Sequence, residues 1–371
     1  MHVLIIPDKF KGTLPAGAAA EAIARGWRQA RPADKLRLVP MSDGGDGFGQ
    51  VLGAQPGVRE ETLQTIDAAH RPLAARWWWQ PATKTAIIES AAVIGLALLP
   101  ARKFHPFELD TFGLAAVVQA AAARGARRCI LGIGGSATND AGFGLARALG
   151  WQFLDRQGRG LERWTDLVHL VRLQRPRRQR WFRELLVAVD VHNPLLGARG
   201  ATRVYGPQKG LRAADFDLAE GCLRRLARVV RQDLGRDLAR EPGAGAAGGL
   251  GFGLLAFLNA RLESGFELFA RQAGLDKQLR SADWVITAEG AIDHSTLMGK
   301  GAGQVARRCR QLGLPCIGLA GMVTADGARR KTFAQIHALT ELTDLEQAKA
   351  QPALWLERLT AQVARGVQGK T

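Results

Sequence analysis

The segment His2-Val-Leu-Ile-Ile-Pro-Asp-Lys-Phe-Lys-Gly-Thr-Leu-Pro15, running on through Ala16-Gly-Ala-Ala-Ala-Glu-Ala-Ile-Ala-Arg-Gly-Trp27, sets the architecture. Residues 2–6 are dominated by aliphatic and β-branched side chains, the pattern of a buried strand. From Pro15 to Arg31, the residues Ala19, Ala22, Ile23 and Trp27 recur at helical spacing, which predicts an amphipathic helix. Residues 36–41 read as a second strand that ends in a turn at Asp43, and Gly45 to Gly53 as a second helix. Strand, helix, strand and helix in that order imply a parallel sheet with right-handed crossovers. The rhythm changes after about residue 62. Arg76-Trp-Trp-Trp-Gln80 and Thr85-Ala-Ile-Ile-Glu89 read as strands of a different, more antiparallel sheet. It returns near residue 281, with strands at Ala282–Thr287, Pro315–Ala320 and Ala334–Leu339 and a helix at Gly301–Leu312. The expected organisation is two α/β domains. Residues 1–65 and 281–371 are expected to form a doubly wound parallel-sheet domain from both ends of the chain, and residues 66–280 an inserted α/β domain.

Composition narrows the class. A chain of 371 residues exceeds one ordinary core, which agrees with two domains. A hydrophobic content of 47% supports a packed protein. The four cysteines, Cys129, Cys222, Cys309 and Cys316, form no C-x-x-C pair and no zinc-ligand spacing. The first apolar run is too short for a signal-peptide core, and no stretch approaches a membrane span, so a cytoplasmic protein is expected. The net charge of +17 admits nucleic-acid binding or a site for small anions. Aromatics make up only 6% and do not interleave with the basic residues, which favours small anions over nucleic acid.

Four Gly-rich polar turns carry the chemistry. The densest is Glu241-Pro-Gly-Ala-Gly-Ala-Ala-Gly-Gly-Leu-Gly-Phe-Gly253, with Gly243, Gly245, Gly248 and Gly249 at its centre. Such turns bring backbone N–H groups up to a phosphate. Gly134-Gly-Ser-Ala-Thr-Asn-Asp140 lies between a strand and a helix, where Gly134, Gly135, Ser136 and Asn139 suit an anion. Pro7-Asp-Lys-Phe-Lys-Gly12 follows the first strand and offers Asp8 and Lys11 at the edge where open α/β sheets bind ligands. Ser42-Asp-Gly-Gly-Asp-Gly47 offers Asp43 as a helix cap or a Mg²⁺ ligand. Asp190-Val-His-Asn-Pro194 places a candidate general base at a strand end. Gly206-Pro-Gln-Lys-Gly210 presents Lys209 on a turn, and Ala288-Glu-Gly-Ala-Ile-Asp293 supplies Glu289 and Asp293 ahead of Lys300. There is no Walker-type G-x-x-x-x-G-K-[ST], no G-x-G-x-x-G after the first strand, no G-x-S-x-G, and no H-R-D/D-F-G pair. Anion-binding turns and carboxylates after strands in both halves are the parts that phosphoryl transfer needs.

In order, Pro7–Leu14, Met41–Gly47, Gly132–Gly150, Val187–Leu195, Gly206–Gly210, Pro242–Gly253 and Val285–Lys300 resemble the bacterial glycerate kinase family, type I, across nearly the whole chain. The resemblance implies a flavodoxin-like domain built from both termini and an inserted domain of restriction-enzyme-like topology. It implies ATP-dependent phosphorylation of D-glycerate to 2-phosphoglycerate, with Mg²⁺, in a cleft between the domains of a monomer or homodimer. The expected catalytic residues are then Asp190, Lys11, Lys209 and Lys300. Gly134, Gly135, Ser136, Asn139, Gly243, Gly245, Gly248 and Gly249 meet ATP phosphates. Asp8 and Asp293 meet the substrate, and Asp43 and Glu289 hold the metal. The chain departs from the family pattern with Lys9 where serine is usual, Asp110-Thr-Phe-Gly-Leu-Ala115 for Thr-Ser-x-Gly-Thr-Gly, Ala288 and Ala291 around Glu289-Gly290, and His192 for threonine. Two other readings follow from these features. The altered 110–115 stretch suggests a kinase for another small hydroxy acid, and the charge suggests a non-catalytic anion or nucleic-acid binder.

Overall fold

The structure is a computed structural model and describes residues 1–297, 301–324 and 332–367. Its strands among the described residues are β1 (His2–Pro7), β2 (Lys35–Leu38), β3 (Arg59–Ile66), β4 (Pro72–Gln80), β5 (Thr85–Glu89), β6 (Arg128–Gly132), β7 (Gln152–Leu154), β8 (Arg172–Gln174), β9 (Glu184–Ala188), β10 (Arg261–Glu263), β11 (Trp284–Ile292), β12 (Cys316–Val323) and β13 (Gln335–Ala338). The chain divides into two compact units, one of Met1–Asp43 with Phe266–Thr371 and one of Gly44–Gly265.

The first unit holds a five-stranded sheet in the order β13-β12-β11-β1-β2. Every neighbouring pair in it is parallel. The aliphatic run of β1 occupies the sheet's interior, with Val3, Ile5, Ile286 and Ile317 in one buried cluster. Helices Ala16–Ala30 and Pro352–Gly366 close one face. They approach so tightly at Gly26 that a Cβ there would lie 2.2 Å from the Glu357 carbonyl oxygen. From β1 the chain steps to β2 on one side. When it re-enters the sheet it steps to β11, β12 and β13 on the other. The direction therefore reverses between β1 and β11, and the carboxyl ends of these strands form a topological switch point.

The second unit holds a six-stranded sheet in the order β10-β9-β6-β5-β4-β3 and a two-stranded β7-β8 pair. Strands β10, β9, β6 and β5 run parallel, while β4 and β3 join antiparallel. The antiparallel character expected from residues 76–89 thus belongs to one edge of a mixed sheet. Three consecutive tryptophans on β4 are all buried. Trp77 and Trp79 enter the main core. Trp78 faces the other way, against helix Phe48–Gly53, where Cβ atoms on Gly49 and Gly53 would collide with its indole.

That contact accounts for one difference from the expected domain limits. The boundary lies between Asp43 and Gly44, earlier than the expected 65/66, because Trp78 holds the first helix after it and β3 is the edge of the second sheet. The other boundary lies at 265/266, not 280/281. Arg308 of helix Gly301–Gln311 ties helices Gly265–Ala273 and Leu275–Arg280 into the first unit, through Glu267 at 2.6 Å and through Asp276.

Candidate active site

In the first unit, β1 delivers Asp8 to the switch point. The Asp8 N–H donates to the Ala288 carbonyl at 2.7 Å, and its Oδ1 accepts the Lys9 N–H at 2.7 Å. The next residues curl back on themselves, with the Phe10 N–H on the Leu14 carbonyl at 2.8 Å. Gly12 takes the left-handed conformation that this turn demands, φ +77°. Lys11 projects into solvent at its crest. Asp8, Lys9, Lys11, Asp43 and Glu289 line one cavity of 340 Å³. Two of the departures from the family pattern, Lys9 and Ala291, also line it.

Glu289 lies inside β11, not at its end, and the charge around it is unusual. Burial pushes its carboxyl up to about 8, and the neighbouring Asp8, Asp293 and Asp43 push in the same direction. The Thr296 hydroxyl opposes the shift by donating to Glu289 Oε1 at 2.7 Å. Thr296 is buried. Its N–H donates to Asp293 Oδ1 at 3.2 Å, so Asp293 caps this turn. Thr296 was missing from the sequence-derived set, although the Asp293-x-x-Thr296 spacing is that of a cap. The structure thus brings Asp8, Asp43 and Asp293 close to Glu289. Among the described residues no group of three or more His, Cys, Asp or Glu side chains has metal-holding geometry. Lys300, expected to be catalytic, lies outside the described residues.

In the second unit, the turn after β6 is built inward. Gly134 and Gly135 meet the Gly44–Asp46 turn: the Gly134 N–H donates to the Gly44 carbonyl at 3.1 Å. A Cβ on Gly135 (φ +74°) would lie 1.8 Å from Asp46 Oδ1. Ser136 and Thr138 are buried with their hydroxyls 3.0 Å apart. Asn139 is buried and donates to the Thr202 hydroxyl at 3.2 Å. Asp140 is fully buried, and its Oδ2 accepts from Thr111 N–H (2.9 Å), Thr111 Oγ1 (2.7 Å) and Gly144 N–H (2.9 Å). Its Oδ1 accepts from Gly142 N–H at 3.2 Å. Burial, with the nearby Asp110, raises its pKa against the pull of those donors. Thr111, one of the altered residues, is thus a partner of Asp140 that sequence reasoning missed.

Lys209 ends helix Ala201–Lys209, so it sits on a helix where a turn was expected. The ammonium is buried and donates to the Thr138 carbonyl at 2.6 Å. Burial pushes it down to about 7, with the Asp140 carboxylate pulling the other way. Asp190 stands beyond the carboxyl end of β9, half-buried, with Oδ1 accepting from Ser264 Oγ at 3.2 Å and Gly265 N–H at 3.1 Å. Glu89 is another functional-looking carboxylate that the sequence did not single out. It is buried and accepts the Gly47 and Gly49 N–H groups at 2.9 Å each, holding the start of helix Phe48–Gly53.

The glycine run, expected to meet ATP phosphates, packs closely against its own unit. Gly243, Gly245, Gly248 and Gly249 are all buried. A Cβ on Gly245 would lie 2.1 Å from the Pro194 carbonyl oxygen, and on Gly248 1.9 Å from the Thr138 carbonyl oxygen. A Cβ on Gly243 would touch Val189, and on Gly249 Ala141 and Leu195. The missing side chains admit protein backbone: the run clamps the Asp190 loop and the Thr138–Ala141 turn against one helix.

The family model described as the glycerate kinase family matches residues 3–368. The chain belongs to the glycerate kinase family. It is therefore a phosphotransferase. It is 40% identical to the glycerate kinase of Halalkalibacterium halodurans over 86% of this chain and 85% of that protein. It is 36% identical to the glycerate kinase of Bacillus subtilis over 99% of this chain and 98% of that protein. It is 36% identical to the glycerate 2-kinase of Escherichia coli over 88% and 86%. The crystal structure of the putative glycerate kinase 2 from Salmonella typhimurium LT2 matches with a TM-score of 0.84 at 32% identity, covering 98% of this chain and 97% of that one. Among the described residues no helix is long and apolar enough to cross a membrane. The carboxylates fall into two sets: Asp8, Asp43 and Asp293 around Glu289 in one unit, and in the other Asp140 near Lys209 with Asp190 held separately by Ser264 and Gly265.

Proposed function

We propose that the protein transfers the terminal phosphoryl group of ATP to the 2-hydroxyl of D-glycerate, giving 2-phosphoglycerate. The observation that carries this is the family match over residues 3–368, with a glycerate 2-kinase among the relatives. The site chemistry agrees with it. Asp190 orients or accepts the glycerate hydroxyl proton; its Oδ1 is fixed by two donors, which limits its freedom to swing away. Lys11, exposed on its turn, reaches phosphoryl oxygens as a point charge. Lys209 acts from beneath, holding the Thr138 carbonyl and lending positive potential to the turn that bears Asn139. Asp8 lines the acidic end of the cavity, and Asp293 adds its charge near Glu289; both would meet the substrate.

Among the described residues the acidic side chains form no metal-holding group of three as they stand, and the case for a magnesium ion is one of donor chemistry. Their donors are hard carboxylate oxygens. Glu289 holds its proton up to about 8 in part because Asp8, Asp293 and Asp43 repel its ionised form, and a divalent cation relieves that repulsion. Asp43 and Glu289 would hold it, directly or through water. When bound, Mg²⁺ neutralises the charge on the phosphate oxygens of ATP.

The alternative acceptor, another small hydroxy acid, rested on the altered 110–115 stretch. Asp110 and Thr111 are buried, and Thr111 is bonded to Asp140, so the alteration lends that reading no support. The test is purified protein with ATP, Mg²⁺ and D-glycerate, followed by phosphorus NMR of the product. Release of ADP with a 2-phosphoglycerate resonance is expected. No ADP above the glycerate-free control, or a 3-phosphate product, refutes the proposal.

A further inference from the structure

The 340 Å³ cavity of the first unit has an acidic end, already described, and a second end that the phosphoryl chemistry does not use. That second end is apolar. Its walls are Phe10, Met322, Leu345 and Ala348, with Lys349 at the edge. Its floor is backbone, because Gly290 and Gly321 lie side by side where β11 and β12 pair. A Cβ on Gly321 would lie 2.6 Å from the Gly290 carbonyl oxygen. Met322 and Leu345, each 38% exposed, both flank this one hollow. The hollow opens at the carboxyl ends of β1, β11 and β12, where the strand order reverses. Ligands of open parallel sheets bind at that point.

We propose that this apolar end binds the nucleoside of the phosphoryl donor, with the purine ring between Phe10, Met322 and Leu345. The argument is one of size and chemistry, and it rests on the kinase reading above. Ligand pockets start at about 300 Å³, a volume suited to a nucleoside. A three-carbon hydroxy acid would leave the apolar wall unsatisfied, whereas a flat purine covers it. Methionine adapts its thioether to an aromatic face. A base bound there leaves its phosphates toward Lys9, Lys11 and the carboxylates at the other end of the same cavity. The buried glycines 243–249 of the second unit present no comparable hollow, since backbone already fills the space beside them.

The test uses the full-length protein and 8-azido-ATP with Mg²⁺, irradiated and mapped by peptide mass spectrometry. Label is expected on the peptide carrying Met322 or the one carrying Leu345–Lys349, and excess ADP should suppress it where D-glycerate does not. In parallel, Met322→Ala and Leu345→Ala should each raise the KM for ATP roughly tenfold, with the KM for D-glycerate within twofold of wild type. Label confined to residues 134–139 or 243–249 in a protein that phosphorylates glycerate overturns the nucleoside site and leaves the function standing. So does a wild-type KM for ATP in both variants. Label at Met322 or Leu345–Lys349 in a protein that phosphorylates no glycerate supports the site and removes the acceptor assignment.

Discussion

Replacing Gly248 by alanine tests whether the glycine run is a backbone clamp. The new Cβ would stand 1.9 Å from the Thr138 carbonyl oxygen, where real Cβ contacts closer than 3.0 Å are essentially never seen, so about 1 Å must open. Gly248 also has φ +68°, a left-handed conformation that costs a residue with a Cβ about 1–2 kcal/mol. Overpacking of a closed interior adds about 1–3 kcal/mol. The sum is a loss of about 2–5 kcal/mol. The same displacement has a chemical consequence, because Thr138 O accepts from the Lys209 ammonium at 2.6 Å. Retreat of the carbonyl by about 1 Å takes that bond beyond hydrogen-bonding range and leaves a buried ammonium without its backbone acceptor. A misplacement of that size costs about 100-fold in turnover. Urea denaturation reads the first effect, and steady-state kinetics the second in the fraction that folds. Gly221→Ala is the matched control. It lies in helix Phe216–Leu234, and its Cβ meets nothing within 4 Å, so alanine should stabilise by about 0.5–1 kcal/mol. Gly248→Ala with wild-type stability and wild-type turnover would refute the clamp.

Three further outcomes are expected. The folded protein keeps the Glu289 proton up to about 8, against a usual 4.5. Between those values the folded state therefore binds the extra proton, and wild-type stability falls as pH rises, by on the order of 2–4 kcal/mol. Glu289→Gln should flatten that decline in urea midpoints taken from pH 5 to 8, and parallel curves would contradict the shift. Asp140→Ala leaves four hydrogen bonds unmade in a fully buried site and should cost about 4 kcal/mol in the same assay; a loss under about 1 kcal/mol would contradict its anchoring role. Asp190→Asn should lower kcat by about 10²–10⁴-fold with an unchanged unfolding midpoint, and a near wild-type rate removes Asp190 from proton transfer.

The parallel sheet of the first unit was legible because its signals are local. Aliphatic β1, the helix face ending at Trp27, and the strands resuming at Trp284 each announce themselves within a few residues. The turns after strands were legible for the same reason, and Asp8, Asp43 and Glu289 share one cavity. The domain limits were not legible, because they depend on which sheet a short helix rides. Helix Phe48–Gly53 follows strands of the first sheet in sequence, yet the Trp78 indole lies against its two glycines. No periodicity within residues 45–53 could reveal a partner some thirty positions away. Thr111 and Thr296 were missed likewise, since a lone threonine carries no signal until the carboxylate it serves is placed beside it.

The glycine run shows most plainly where reading residues one at a time stops. A glycine in a polar loop means that something comes close to its Cα, and sequence does not say whether that something is a phosphate or a peptide. Opposite Gly245 stands the Pro194 carbonyl, and opposite Gly248 that of Thr138. Both belong to loops that carry residues of the proposed site, Asp190 on one and the Asn139–Asp140 pair on the other. A dense glycine pattern can therefore be required for catalysis without any glycine touching a ligand. On the proposed reading the run acts at one remove, because the Cβ atoms that Gly245 and Gly248 lack let the Asp190 and Asn139–Asp140 loops pack where they do. The distinction has an experimental edge: a glycine that contacts phosphate should, when replaced, raise the KM for ATP, whereas a glycine that spaces two loops should lower stability and kcat together.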